Sequence, residues 1–157
     1  MAQIPIAQTI EGNTPLMVAT QKDQYEIAEL LIENKANIDE HEKLGGHVPI
    51  HWAIDFENTR FLKLFLDNGA SIDFKSFEGA TALIYQVSDK TREILEVIQF
   101  LLEHGADPIV EPKIGLTPPI LATQYGKYET AKLLLKHGAN PNAKIFRHAE
   151  YESARRD

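Results

Sequence analysis

The sequence predicts an all-α solenoid of four helix-turn-helix units with finger-like hairpins projecting between them. Two periodic markers carry that prediction. The segments opening at Thr14, Val48, Thr81 and Thr117 lie 34, 33 and 36 residues apart. The stops of the second helical runs, at Lys35, Gly69, Gly105 and Gly138, lie 34, 36 and 33 apart. A third observation is the content between markers: a short apolar run, a polar break, a longer run at helical spacing, and a turn. A beat near 33 residues with this grammar describes units that bury their apolar faces only by stacking on neighbours. We therefore treat 1–157 as one domain with units at about 9–42, 43–75, 76–111 and 112–144, and 145–157 as a C-terminal cap or tail.

The fourth unit is the plainest copy. Thr117-Pro118 opens it, Ile120, Leu121 and Ala122 form the first run, and Gly126 breaks it. Ala131 and Leu133 to Leu135 form the second run, which stops at Gly138. In the first unit Thr14 is suited to cap a helix, with Pro15 where its missing N–H costs nothing. Leu16, Val18 and Ala19 are expected inside, followed by Tyr25, Ile27, Ala28, Leu30 and Leu31. Lys35 replaces the usual glycine at a left-handed stop, so Lys35→Gly is expected to stabilise by about 1 kcal/mol.

The connector Asp39 to His47 reads as a finger, with Leu44 near its tip and Gly45-Gly46 in a tight turn with positive φ. The second unit is the most aromatic, with Trp52, Phe61 and Phe65 in its runs and Phe56 in its break. The third unit is three residues longer between Tyr85 and Gly105, with the excess in Ser88 to Leu95 at the helix–helix joint. Ile4, Ile6 and Ile10 are expected to cover the first unit, and the stretch after Lys144 the last.

Composition bounds the chemistry. There is no cysteine, hence no disulfide or thiolate metal site. The start has no basic segment followed by a long apolar run, and no run approaches a membrane span of roughly 20 residues. A cytoplasmic, self-contained chain is expected. Residues 1–111 carry a formal balance of −11 and residues 112–157 a balance of +4. The acidic majority argues against nucleic acid as ligand, since phosphate neutralisation needs clustered Lys and Arg.

Thr14-Pro15-Leu16-Met17-Val18-Ala19 and Val48-Pro49-Ile50-His51-Trp52-Ala53 match a Thr-Pro-Leu-His-x-Ala pattern. Weaker copies are Thr81-Ala82-Leu83-Ile84-Tyr85-Gln86 and Thr117-Pro118-Pro119-Ile120-Leu121-Ala122. Leu101 to Asp107 and Leu134 to Asn140 match a Leu-Leu-x-x-Gly-Ala-Asp/Asn ending. On these motifs the chain resembles ankyrin repeat proteins over roughly residues 9–144. Gln86, where the pattern has Ala, and Pro119, where it has Leu, are departures. The resemblance implies an ankyrin-repeat solenoid with antiparallel helix pairs, β-hairpin-like fingers, and a concave groove lined by fingers and first helices.

Candidate catalytic chemistry is thin, and no enzyme activity or cofactor is expected. His41, His47 and His51 could meet at the first finger as a metal site, with Asp39, Glu40 and Glu42 nearby. His51, however, occupies the motif's histidine and is expected to hydrogen-bond neighbouring turns. The carboxylates Asp39, Glu40 and Glu42 are expected on an exposed turn where nothing would raise a pKa for acid work. His104 and His137 are placed to donate to the last carbonyls of their helices.

The resemblance implies a protein partner, contacted by finger tips and first helices. Carried onto this sequence, the contact residues are Leu44, His47, Asp55, Phe56, Phe77, Glu78, Ser88, Asp89, Ile114, Leu116, Gln124 and Tyr125. The large apolar groups among them suit a hot-spot stripe. Asp55, Glu57, Glu78 and Asp89 would flank it and favour a basic partner surface. The expected function is a monomeric, non-catalytic protein-binding module. The alternative within that class is an inhibitor or immunity-type protein that blocks a basic enzyme or toxin.

Overall fold

The computed structural model describes residues 12–56, 59–113 and 115–145. Eight α-helices occupy them: α1 Pro15–Gln21, α2 Tyr25–Glu33, α3 Pro49–Ala53, α4 Arg60–Asp67, α5 Ala82–Ser88, α6 Leu95–Glu103, α7 Pro118–Gln124 and α8 Tyr128–Lys136. They pair in chain order, and the first helices stack α1 on α3, α3 on α5 and α5 on α7. None is long and apolar enough to cross a membrane. The terminal cover expected from residues 1–10 and from the tail after Lys144 lies, apart from Ile145, outside the described residues.

The first helices are short and depend on their N-terminal caps. Thr14 Oγ1 accepts from Met17 N at 3.3 Å, and Pro15 takes the first helical position. Thr81 Oγ1 accepts from Ile84 N at 3.5 Å. Val48 has no hydroxyl to offer. His51 Nδ1 takes over by accepting from Val48 N at 3.0 Å. Thr117 caps nothing, and its hydroxyl is buried with no hydrogen-bond partner.

The core is a ribbon running through the units. Leu16, Ala28, Ile50, Phe61, Phe65, Leu83, Ile98, Leu101 and Leu134 are its buried members. Ile27 and Leu30 on α2 are exposed, whereas Phe61 and Leu64, 34 residues on, are buried. Corresponding positions of successive units thus differ in burial.

Each second helix ends in a left-handed residue. Lys35 sits at φ 68°, and Gly69, Gly105 and Gly138 at 88°, 93° and 94°. The expected finger turn is formed, but only Gly46 (φ 71°) of the Gly45-Gly46 pair is left-handed. Among the described residues the fingers hold turns and no strand. Backbone bonds close them: Glu42 N donates to His47 O at 2.9 Å, Ser76 N to Ala80 O at 2.9 Å and Gly79 N to Ser76 O at 2.8 Å. Adjacent fingers are bonded in the same manner, Phe77 N to Gly45 O at 2.8 Å and Lys113 N to Glu78 O at 3.1 Å.

Candidate functional site

The first finger is built around a buried carboxylate, and this corrects the expectation that Glu42 lies on an exposed turn. Glu42 is 1% exposed. Its Oε2 accepts from Leu44 N at 2.6 Å, and its Oε1 from Gly45 N at 2.7 Å and His47 N at 3.0 Å. His47 Nδ1 lies 2.8 Å from the same Oε1. Burial alone pushes the Glu42 carboxyl up. The backbone N–H groups of His47, Leu44 and Gly45, with the His47 ring, outweigh it and hold the pKa at about 2. The acid therefore shapes the finger and is poorly suited to proton transfer near neutral pH.

The chain of contacts continues into the next unit. His47 Nε2 lies 3.0 Å from Tyr85 Oη, and Tyr85 Oη lies 2.9 Å from Ser76 Oγ. Finger one, α5 and finger two are thereby tied through one imidazole and one phenol. His51 is buried, and its Nε2 donates to Phe74 O at 3.0 Å while Nδ1 accepts from Val48 N. Both His51 nitrogens are engaged by backbone, as the sequence reading expected. His41 faces outward, with Nδ1 at 3.2 Å from Glu42 O. The His47 and His51 rings lie 5.6 Å apart, but no group of three or more metal-ligating side chains is assembled among the described residues.

A cleft of about 290 Å³ opens beside this network. His47, His51, Trp52, Ile54, Asp55, Tyr85, Gln86, Ser88 and Asp89 line it. Four of the twelve expected contact residues therefore meet there: His47, Asp55, Ser88 and Asp89. Arg92 spans its acidic rim, with Nη2 3.6 Å from Asp55 Oδ1 and Nε 3.4 Å from Asp89 Oδ2. Asp89 also accepts from Thr91 N at 2.8 Å and from Thr91 Oγ1 at 2.7 Å. Those two bonds, helped by Arg92 and opposed by burial, hold its pKa at about 2, so it is ionised at neutral pH. Trp52 Nε1 and Gln86 Nε2 are buried and have no hydrogen-bond partner.

The other expected residues divide by exposure. Leu44 is 73% exposed and Phe77 47%. The Phe77 ring lies over Gly46, where an added Cβ would run into it, and meets the His41 ring at 5.4 Å. Glu78 and Gln124 are exposed. Phe56 is half-buried and stacks on Phe61 at 5.4 Å, so it belongs largely to the core margin and not to an open stripe. Leu116 packs against the core. Tyr125 is half-buried with the Lys90 ammonium 5.4 Å from its ring centre. Ile114 and Glu57 lie outside the described residues.

Several residues that build the site carried no sequence signal. Lys127 is buried, and its Nζ donates to Asp89 O at 2.6 Å and Arg92 O at 2.9 Å. It holds the longer joint of the third unit from the start of α8. Trp52, Tyr85 and Arg92 likewise acquire their positions from the stacking of units, whereas Gln86 was visible as a departure from the repeat pattern. One legible signal was passed over: Gly12, Gly46, Gly79 and Gly115 each stand two residues before a unit opens, and all have positive φ.

Comparison with known proteins agrees with this architecture. A family model described as "Ankyrin repeat" matches residues 11–43, and one described as "Ankyrin repeats (3 copies)" matches residues 50–145. A putative ankyrin repeat protein of Fowlpox virus (strain NVSL) is 31% identical over 143 residues, covering 85% of this chain and 40% of that protein. The B-cell lymphoma 3 protein homolog of Mus musculus is 32% identical over 141 residues, covering 85% of this chain and 30% of that protein. The transient receptor potential cation channel subfamily A member 1 of Homo sapiens is 29% identical over 128 residues, covering 81% of this chain and 11% of that protein. The chain thus spans less than half the length of each of these relatives.

Proposed function

The chain belongs to the ankyrin repeat family, a family of protein–protein interaction modules, and from that premise we propose that it binds a partner protein without catalysing a reaction. The bound surface is the cleft between α3 and α5 together with the tips of the first two fingers. The observation that supports this reading is the meeting of His47, Asp55, Ser88 and Asp89 on one cleft. Leu44 stands exposed in the finger that carries His47. A large apolar group held out by a rigid turn, beside a polar cleft, is the arrangement of an anchor residue with its rim. The partner carries basic groups around an apolar contact, complementing Asp55, Glu78 and the −11 balance of residues 1–111.

The test is affinity capture from the native host followed by mass spectrometry, comparing the wild-type chain with Leu44→Asp. Leu44 is chosen because its side chain has little packing to lose, whereas Phe56→Ala would also remove the stack on Phe61. The partner recovered with wild type is expected to fall about tenfold or more with the variant, at an unchanged denaturation midpoint. Equal recovery by both proteins contradicts the proposed surface.

A further inference from the structure

The first and last units keep apolar groups exposed that interior units bury. Ile27 and Leu30 of α2 lie eight and five residues before the Lys35 stop. Their counterparts Phe61 and Leu64, before Gly69, are buried, as is Val97 in the third unit. Thr130, in the Ile27 position of the fourth unit, shows what this face meets. Its N and Oγ1 donate to Glu93 Oε1 of the unit before it, at 3.2 Å and 2.6 Å. On the first unit, which no described unit precedes, Ile27 and Leu30 are 47% and 58% exposed. The far end repeats the situation. Leu102, three residues before Gly105, is buried in the third unit, where α6 packs on α8. Leu135, three residues before Gly138, is 48% exposed, and Tyr128, on the same helical face, is exposed as well. A terminal unit of a solenoid needs a polar outer face to stay apart from other molecules, and these apolar groups work against that.

The charges beside the two apolar faces are opposite in sign. α2 exposes Glu26, Glu29 and Glu33 and contains no basic residue. α8 exposes Lys132 and Lys136 with one acid, Glu129. Glu129 lies 3.4 Å from Lys132 Nζ, but both side chains are exposed and such a pair competes weakly. The balances of −11 over residues 1–111 and +4 over residues 112–157 have the same sense.

We propose that copies of this chain stack head to tail, the α8 end of one against the α2 end of the next, in place of the monomer expected from the sequence. The contact continues the stack of units, setting α8 beside α2 as it sits beside α6, with helix axes about 8–10 Å apart. Leu135 and Tyr128 then cover Ile27 and Leu30, while Lys132 and Lys136 fall beside Glu29 and Glu33. Pairing like ends sets glutamates against glutamates or lysines against lysines. Because the joined surfaces differ, each dimer keeps one free end of each kind, and association runs past two copies. The cleft and the fingers stay clear, so the proposal stands apart from the protein-binding reading.

The test is sedimentation velocity on the full chain at low salt, from about 10 µM to about 1 mM. The expected result is a mean mass that rises with concentration beyond that of a dimer, with a Kd on the order of 100 µM for so small a contact. Leu30→Lys and Leu135→Glu each change an exposed side chain, one at either end. Each variant alone is expected to remain monomeric. Their equimolar mixture is expected to form dimers and nothing larger, since one keeps a working α8 end and the other a working α2 end. A wild-type chain that stays monomeric overturns the proposal, those faces then being left to the chain's own terminal residues or to a further repeat. Association that survives in either variant alone, or a mixture that stays monomeric, overturns it too. Should a variant fail to fold, the wild-type chain decides alone, because growth past the dimer requires unlike ends.

Discussion

Lys35 holds its backbone at φ 68° in a turn that the other three units give to glycine. An added Cβ at Gly69, Gly105 or Gly138 meets nothing within 4 Å, so the preference for glycine is one of backbone strain and not of space. Lys35→Gly should therefore raise stability by about 1 kcal/mol, net of the freedom glycine adds to the unfolded chain. A denaturant titration checks it, and an unchanged or lower midpoint in the variant would refute it. This residue was legible because it breaks a beat. Glu42 was not, because nothing adjacent in sequence marks it for burial. Its 1% exposure arises when the chain from Leu44 to His47 folds over it and supplies three N–H groups to one carboxylate.

Between elements, the connection most open to test is that of α3 to the following finger. His51 accepts from Val48 N and donates to Phe74 O, an arrangement that requires the neutral ring. Burial, reinforced by the His47 charge and only partly offset by backbone carbonyls, lowers its pKa from 6.5 to about 4. The unfolded chain then binds a proton that the folded chain refuses. The contribution is present in full above the unfolded value of 6.5 and is lost as pH falls towards 4. Between pH 7 and pH 5 this group should cost about 2 kcal/mol of stability, and His51→Gln should flatten that decline. Equal urea midpoints at the two pH values in the wild-type chain would contradict it. Helix pairs were readable because apolar spacing reports them, and so was the longer joint of the third unit. The break after α3 was legible as the place of Phe56, but the shortness of α3 was not. The break needs no insertion, because α3 is simply five residues long and Phe56 fills it by stacking on Phe61.

Across the whole molecule, stacking decides what each repeated position becomes. Ile27 and Leu30 are exposed on the first unit while Phe61 and Leu64 are interior on the second, although the pattern that predicts them is the same. The contact list read from the sequence met the same limit. Leu44, Phe77, Asp55 and Glu78 are exposed, with the Phe77 ring lying over Gly46, whereas Phe56 and Leu116 turn inward. Trp52, Arg92 and Lys127 join the site through neighbours 33 or more residues away, beyond the reach of any local pattern. The solenoid was legible as a rhythm, and the cleft only as a consequence of two units meeting.

Hydrogen exchange on the captured complex tests the central claim, that fingers and first helices form the bound surface, most directly. Partner binding is predicted to slow exchange in residues 42–47, 52–55, 76–79 and 85–92, and to leave the amides of α2 and α6 unchanged. Protection on α2 and α6 with the fingers and the cleft unaffected would contradict it.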